Sequence, residues 1–403
     1  MIKSSSKKHL DFHKTTNFNP MLSSPAQDTS KKFNKRLLCL FLLLSAFNLS
    51  GQNEYHLFKN YEPFKPDSTG SFYFAIDNLN FFKNNENKLN RSADYTLTGS
   101  FLRPTAVYYP DSKLRLQLGG HILKYNGRDD YAQLSPWFNV HYQPTDRIAV
   151  ILGNLDADQG HLMAEQLYNP ELFYSAKPEV GLQTKYTSDR FTSDLWIDWQ
   201  QLIMPGDPYK ERFAFGVRSN LLVSNIYGGS LFFPFSFYGT HEGGTIGTAP
   251  GLAKSFITIT PGFVYKKPIT GSLITDMELT ALFSLSTYPK DNLIFKQSSG
   301  WGLSVSGNVN TPFGGVTTSF WHGHLFYTPQ GSPIFQNYPG KGSVWLDDHE
   351  LIDLKYHYQH QIIKNTFFGF MFDYYYDTLR RKAVNSAGLY LIVNLGINPS
   401  AKR

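Results

Sequence analysis

The chain has 403 residues, of which 17% are charged and 16% aromatic. Charged residues are fewer and aromatic residues more numerous than in a typical soluble domain. No run of about 20 apolar residues is present, which excludes a bundle of membrane-spanning helices. The formal charge of +6 is confined to residues 1–52, which hold eight basic and two acidic side chains. A basic surface for nucleic acid is therefore excluded from the rest of the chain.

The N-terminal region has the pattern of an export signal. Residues 37–47 read LLCLFLLLSAF, after four basic residues and before the small residues Ser50 and Gly51. This run is too short to span about 30 Å of hydrocarbon. We therefore predict that residues 1–52 form an N-terminal extension with a cleaved signal peptide. Cys39 is the only cysteine and lies inside the apolar run, so we expect no disulfide, thiol metal site or lipid anchor in the mature chain.

Residues 53–70 are expected to form a periplasmic segment, and residues 71–403 a single barrel. From about residue 71 onward, apolar and polar side chains alternate with a period of two, as in β-strands. In residues 351–361, for example, Ile352 and Leu354 share one face, and Asp353 and Lys355 share the other. A charged face opposite an apolar face is typical of a wall between lipid and a wet lumen.

The connections between the predicted strands alternate between short and long. Tight turns rich in turn-forming residues are expected at residues 110–112, 144–146, 187–189, 224–225, 266–271, 311–312 and 363–365. Longer loops are expected near residues 83–92, 126–130, 156–178, 204–211, 240–252, 286–300, 328–348 and 377–382. This sorting predicts an all-β fold, a transmembrane antiparallel up-and-down β-barrel of about 16 strands (range about 14–18). A soluble β-sandwich is the alternative, although it has less reason to sort its loops by length.

Some features depart from this pattern. Pro104, Pro136 and Pro234 fall inside predicted strands, where a closed barrel has no edge for a residue without an N–H. The chain ends on Arg403 rather than on an aromatic residue. Residues 156–178 are expected to form a long surface loop, with a short helix or lid as the alternative.

Residues 102–130 read LRPTAVYYPDSKLRLQLGGHILKYNGRDD, residues 194–216 read DLWIDWQQLIMPGDPYKERFAFG, and TPGFVYKK follows downstream. Together with the export signal and the sorted loops, these segments resemble uncharacterised outer-membrane β-barrel proteins of Bacteroidota. The resemblance implies an outer-membrane location and a barrel fold. It implies no activity and no site residues.

No motif in the sequence predicts a catalytic, cofactor or metal site. His322 and His324 precede a group of polar residues at 347–350, but this spacing is not specific for a metal, and polar residues are expected at a barrel rim. A G-x-S-x-G elbow is absent from the sequence. We therefore expect a protein that is not an enzyme and carries no cofactor.

Charged side chains that face the lumen are the best remaining indication of function. The alternation predicts that they are Arg115, Lys185, Asp194, Asp198, Asp353, Lys355 and His357. Both signs are present, so a strongly ion-selective pore is not expected. Two interpretations remain open at this point: the charges line an aqueous passage, or they pair with one another and plug or stiffen the barrel.

The function expected from the sequence is a non-enzymatic outer-membrane barrel of a Gram-negative bacterium. It would pass small polar solutes in the manner of a porin or serve as an envelope scaffold, with both termini in the periplasm. The first alternative is a component of a secretion or assembly complex, and the second is an outer-membrane lipid hydrolase. The expected partners are outer-membrane lipid and lipopolysaccharide, with other envelope proteins as further candidates and no nucleic acid.

Overall fold

The computed structural model describes residues 64–87, 94–157, 161–244, 246–289, 297–338 and 344–397. The predicted signal peptide, in residues 1–52, lies outside these residues. The strands of the described part are β1 (Phe72–Asn87), β2 (Tyr95–Asp111), β3 (Leu114–Tyr125), β4 (Gln133–Thr145), β5 (Ile148–Asn154), β6 (Val180–Thr187), β7 (Phe191–Gln201), β8 (Glu211–Ile226), β9 (Gly229–Gly243), β10 (Lys254–Pro268), β11 (Asp276–Thr287), β12 (Ser299–Thr311), β13 (Gly314–His324), β14 (Asp348–Ile363), β15 (Thr366–Asp377) and β16 (Lys382–Ile397).

The sheet closes on itself. Each strand pairs antiparallel with its neighbours in sequence, and β1 also pairs with β16. Closure leaves no strand with unpaired backbone groups along its edge. The predicted fold class, an all-β up-and-down barrel of sixteen strands, is confirmed.

Short 3₁₀ helices at Pro66–Ser68, Pro170–Tyr174 and Pro333–Phe335 lie in the connecting segments. No helix in the described part of the chain is long and apolar enough to cross a membrane.

Side-chain alternation builds two different faces on the barrel wall. In β14, Leu351 and Asp353 are buried inside, whereas Ile352 and Leu354 are each nearly half exposed on the outside. Large apolar side chains such as Leu118 and Phe263 continue this exposed outer face around the barrel. An apolar band on the outside of a closed barrel is the surface that a bilayer requires.

The two ends of the barrel differ in their connections. One end, here called the turn end, carries the connections that follow β2, β4 and the other even-numbered strands up to β14. Most of these have two or three residues, and the connection of residues 269–275 after β10 is the exception. The other end, here called the loop end, carries the remaining connections. β1 begins and β16 ends at the turn end.

One predicted turn was misplaced. The hairpin after β8 turns at Tyr227 and Gly228, not at residues 224–225. Both residues have positive φ angles, 50° and 75°, which is the geometry of the two-residue turns that match the twist of antiparallel strands. Pro104, Pro136 and Pro234, which departed from the pattern expected of barrel strands, lie within β2, β4 and β9 respectively.

The loop expected at the surface, residues 156–178, instead folds into the barrel. Leu167 and Tyr174 are buried, and Leu167 packs in one cluster with Trp196 and Tyr238 of the wall. The surface-loop prediction was wrong because these large apolar side chains gain stability from burial. The segment that forms a 3₁₀ helix is Pro170–Tyr174.

The loop after β13 enters the barrel in the same way. Phe326 and Phe335 pack around Trp321, and Ser332 N donates to Glu165 O at 2.9 Å. Gln336 Nε2 donates to Gln166 O at 3.0 Å. We call the two inserted segments together the plug. The first comprises the described residues 155–157 and 161–179, and the second comprises the described residues 325–338 and 344–347.

Candidate active site

The structure places the seven predicted lumen residues on the inward face of their strands. They are Arg115 on β3, Lys185 on β6, Asp194 and Asp198 on β7, and Asp353, Lys355 and His357 on β14. Asp194, Lys185 and Lys355 contact the plug directly, as described next.

The first of these contacts is a clamp around His161 of the plug. His161 Nδ1 lies 2.9 Å from Asp194 Oδ2, and Nε2 lies 2.7 Å from Glu179 Oε2. The ring stacks on Trp196 with centroids 3.6 Å apart. Burial alone would lower the pKa of His161, but Glu179 and Asp194 outweigh it and raise the pKa to about 9. With both ring nitrogens donating to carboxylates, His161 fixes the plug and has no lone pair to act as a base.

A second group ties the plug to the opposite wall. Lys355 bonds to Glu165, and Tyr375 OH donates to Glu165 Oε1 at 2.8 Å. Beside it, Lys83 Nζ lies 3.6 Å from Glu171 Oε1 and 3.7 Å from Asp373 Oδ2. A cavity of about 50 Å³ between these groups has room for only a few water molecules.

A third group lies nearer the turn end. Lys185 Nζ is 3.7 Å from Asp156 Oδ2, and the buried Arg115 donates to Asn139 Oδ1 at 3.3 Å. His141, 3.9 Å from Asp156, stacks against Phe64 ahead of β1. Lumen charges therefore pair with plug and wall residues, and these groups stiffen the interior.

The histidines considered for a metal lie on the outer face at the loop end. His322 Nδ1 is 3.2 Å from Glu350 Oε1, and His324 Nδ1 is 2.8 Å from Asp348 Oδ1. Trp301 packs against both rings. These side chains pair with one another instead of converging on a common point. Over the described ranges, no group of three or more His, Cys, Asp or Glu residues is arranged to hold a metal ion.

A serine and a histidine meet on the outer face at the same end of the barrel. Ser255 is the second residue of β10 and stands directly opposite His241 of β9. The distance from Ser255 Oγ to His241 Nδ1 is 2.9 Å, and Ser255 is exposed. A hydroxyl within hydrogen-bond reach of an imidazole is the nucleophile–base arrangement used in covalent catalysis.

A carboxylate lies near this group. Glu211, on the outer face of β8, stands opposite Gly243 in register. A Cβ built on Gly243 would lie 2.5 Å from His241 Nε2, so the imidazole occupies the space that a side chain at position 243 would fill. The second ring nitrogen is thus directed toward the position opposite Glu211. No hydrogen bond or ion pair is described between Glu211 and His241, so this carboxylate acts on the ring at longer range, where its charge favours the protonated form.

Aromatic side chains surround the group on the outer face. His241 stacks on Phe213 with ring centroids 5.0 Å apart, and Phe213 packs on Trp199 at 5.6 Å. Trp199 Nε1 donates to Glu211 Oε1 at 3.0 Å. The result is an apolar platform with a polar upper edge, which suits a molecule that is part lipid and part headgroup.

Sequence analysis missed Ser255 and His241. The two residues are 14 positions apart and share no motif, because strand register alone brings them together. The one available signal was the alternation of β9 and β10, which places both side chains on the face shared with Ile259 and Phe263.

The fold and these features define an outer-membrane β-barrel with a plugged lumen and a Ser–His pair on its lipid-facing side. The chain belongs to the lipid A 3′-O-deacylase-type family, whose model matches residues 64–398. This supports the resemblance to an outer-membrane family of Bacteroidota. No curated protein matches the chain.

Solved structures of similar shape are outer-membrane proteins. OprD from Pseudomonas aeruginosa is 11% identical with a TM-score of 0.48, over 82% of this chain and 96% of its own. OccAB1 from Acinetobacter baumannii is 11% identical with a TM-score of 0.47, over 84% and 99%. OmpT from Vibrio cholerae is 10% identical with a TM-score of 0.45, over 81% and 100%. Likeness at this level carries no argument about activity.

The family corrects two expectations. The sequence predicted a protein that is not an enzyme, with porin-like passage or a scaffold role as its main function. Both predictions are contradicted by a family that bears the name of a deacylase. The sequence showed no sign of an active group because a contact between two strands, such as that of Ser255 with His241, leaves no local pattern.

Proposed function

We propose that the protein is an outer-membrane ester hydrolase that removes an ester-linked acyl chain from lipid A. In this proposal Ser255 is the nucleophile, His241 is the general base and the nearby charge of Glu211 favours the protonated imidazole. The observation that carries the proposal is the 2.9 Å separation of Ser255 Oγ and His241 Nδ1 on the lipid-facing surface. Membership of the deacylase-type family gives the substrate class.

The depth of the pair suits such a substrate. His241 lies two residues from the end of β9, and Ser255 lies one residue from the start of β10, so both are within about 7 Å of the strand ends. Longer loops of outer-membrane barrels are extracellular, so we place the loop end at the outer leaflet and both termini in the periplasm. The acyl ester of a lipid lies at the boundary of headgroup and hydrocarbon, which is the level of this pair.

The chemistry follows from the geometry. With the proton of the neutral imidazole on Nε2, Ser255 Oγ–H donates to Nδ1 of His241. Oγ attacks the ester carbonyl carbon while its proton moves to Nδ1. The tetrahedral intermediate then releases the sugar hydroxyl, which takes that proton. A water molecule, deprotonated by His241, hydrolyses the acyl–Ser255 ester and releases a fatty acid.

Two other histidines that contact carboxylates fit this role less well. Both nitrogens of His161 are held by carboxylates inside the barrel, where no membrane lipid lies against them. His322 pairs with Glu350 on the outer face, but among the described contacts its nitrogens meet carboxylates and no serine or threonine hydroxyl.

Purified protein in mixed micelles with lipid A tests the proposal, with released fatty acid measured by mass spectrometry. Ser255→Ala and His241→Gln should each lower kcat by at least ~10³-fold while leaving thermal stability unchanged. Ser299→Ala and His322→Gln alter the same two residue types elsewhere on the loop end and should retain activity. Wild-type protein that releases no fatty acid, or Ser255→Ala protein that remains active, contradicts the proposal.

A further inference from the structure

An open cleft of about 420 Å³ lies at the loop end of the strands that carry the Ser–His pair. Its lining residues are Gln201, Tyr209, Lys210, Arg212, Glu242, Ala249 and Pro250. They come from β7, β8, β9 and the connections after β7 and β9. This volume is within the range of sites that bind small molecules.

The cleft carries a net positive charge. Lys210 and Arg212 provide two cations, and Glu242 provides one anion, which stands opposite Lys254 in register. Arg212 Nε donates to Gln201 Oε1 at 2.9 Å. Among the residues that the structure describes, the two Nη nitrogens of Arg212 have no acceptor, so its planar edge is available to an anion.

The cleft and the Ser–His pair lie on opposite sides of the same rim. Arg212 and Glu242 are register partners in β8 and β9, and the next pair inward is Phe213 and His241. Adjacent residues in a strand point to opposite faces, so His241 faces outward and Arg212 faces inward. The wall ends one residue above Arg212, at Glu211 and Gly243.

The wall is short above this pair. Gly243 and Gly244 end β9 and begin the following loop, and Gly244 has a φ of +108° that favours glycine. His241, Ala253 and Ile203 fill the space beside these glycines, and one register pair separates Arg212 from the end of the wall. A phosphorylated sugar that lies over this strand end can contact the cations inside the rim while its acyl chains lie against Trp199 and Phe213 outside.

We propose that this cleft binds the phosphate groups of an anionic glycolipid headgroup and so positions an acyl ester at Ser255. Arg212 supplies paired N–H donors to phosphate oxygens, and Lys210 adds a second positive charge. The inference rests on the proposed function, because it assigns selectivity for phosphorylated substrate to the same site. The cleft thus distinguishes phosphorylated glycolipids from neutral and zwitterionic lipids.

Kinetics on two substrates test this assignment. Lipid A and chemically dephosphorylated lipid A are presented in the same neutral micelles. The Lys210→Ala/Arg212→Ala protein should show a KM for lipid A raised by about 10-fold or more, as expected for loss of charged hydrogen bonds, and an unchanged KM for the dephosphorylated substrate. Arg212→Lys should recover part of the loss. Lys382→Ala removes an exposed cation from another part of the loop end and should change neither KM.

Binding separates this inference from the proposed function. The Ser255→Ala protein should bind the acyl-free phosphorylated glucosamine disaccharide, and adding Lys210→Ala/Arg212→Ala should abolish that binding. If the double variant loses affinity for both substrates equally, or for neither, the cleft assignment is wrong while hydrolysis at Ser255 stands. If Ser255→Ala protein remains active yet the headgroup still binds at Arg212, the proposed nucleophile is wrong and the binding site stands.

Discussion

Tyr375, on β15, donates a 2.8 Å hydrogen bond to Glu165, a plug residue 210 positions earlier in the chain. Lys355, one strand away on β14, bonds to the same carboxylate. The plug segment that carries Glu165 enters between β5 and β6, so this contact joins it to a different part of the wall. Because Glu165 serves two partners on neighbouring strands, its loss should weaken the attachment of the plug to this part of the wall.

We expect Glu165→Ala to destabilise the barrel and loosen the plug. The change removes the ion pair of Lys355 and leaves Tyr375 without an acceptor, a loss of about 1–3 kcal/mol. The melting temperature in detergent should fall, and conductance in planar bilayers should rise above that of the wild type. Glu278→Gln breaks a more exposed ion pair with Lys266 and serves as the control. Equal conductance in Glu165→Ala and wild-type protein would show that the plug is held by other contacts.

The clamp at His161 predicts a dependence on pH. The pKa of His161 is raised from 6.5 to about 9 in the folded protein. Its stabilisation is therefore fully present below pH 6.5 and is lost as the pH rises through about 9. Melting curves at pH 7 and pH 10 should show a large gap between wild type and His161→Gln at the lower pH and a small gap at the higher one. If the difference in melting temperature between the two proteins is the same at pH 7 and pH 10, the His161 clamp is not the source of the pH dependence.

Close packing around Gly302 predicts that one added methyl group lowers the free energy of unfolding. A Cβ at Gly302 would lie 2.0 Å from the ring of Trp321, which is fully buried. Gly302→Ala should destabilise the protein by about 1–3 kcal/mol through overpacking. Gly307→Ala, on the same strand, meets only Leu279 at an ordinary 3.5 Å and should be nearly neutral. Denaturation in urea compares the two, and equal effects would contradict the packing argument.

A substitution at Gly243 tests the Ser255–His241 pair without changing either of these two side chains. An added Cβ would meet His241 Nε2 at 2.5 Å and Ala253 Cβ at 2.9 Å, so the imidazole must move. Gly243→Ala should lower kcat at least ~10²-fold in protein that remains folded at the assay temperature, as checked by its melting curve. Gly396→Ala adds the same group where nothing lies within 4 Å and should leave kcat unchanged. An unchanged kcat in Gly243→Ala would show that the position of His241 does not matter.

The orientation of the barrel can be tested with single cysteines. Leu252 at the loop end is 87% exposed, and Tyr227 at the turn end is 89% exposed. On intact cells, a maleimide that cannot cross the outer membrane should label Leu252→Cys and not Tyr227→Cys. Lysed cells should show labelling of both, which controls for reactivity. The reverse pattern on intact cells would place the termini outside and remove the proposed site from the outer leaflet.

Strand alternation allowed the barrel to be predicted without a structure. In β14 the order of Ile352, Asp353, Leu354 and Lys355 was enough to assign the two faces, because the period of a strand is two residues. The turn at Tyr227 and Gly228 was misplaced by a few residues because tyrosine is an unusual residue at a positive φ. The interior position of Leu167 was missed because a short apolar stretch in a loop does not reveal which surface will bury it.

The sequence by itself determined the class of fold, the number of strands and the two faces of the wall, since these follow from local alternation and turn chemistry. Only the tertiary structure decided that the lumen is plugged and that Ser255 meets His241. Both depend on contacts between residues far apart in the chain, namely Glu165 with Tyr375 and strand β9 with β10. The connection between β9 and β10 is too long to fix the register of these strands as a tight turn would, and the packing of the whole barrel decides which surface buries a loop.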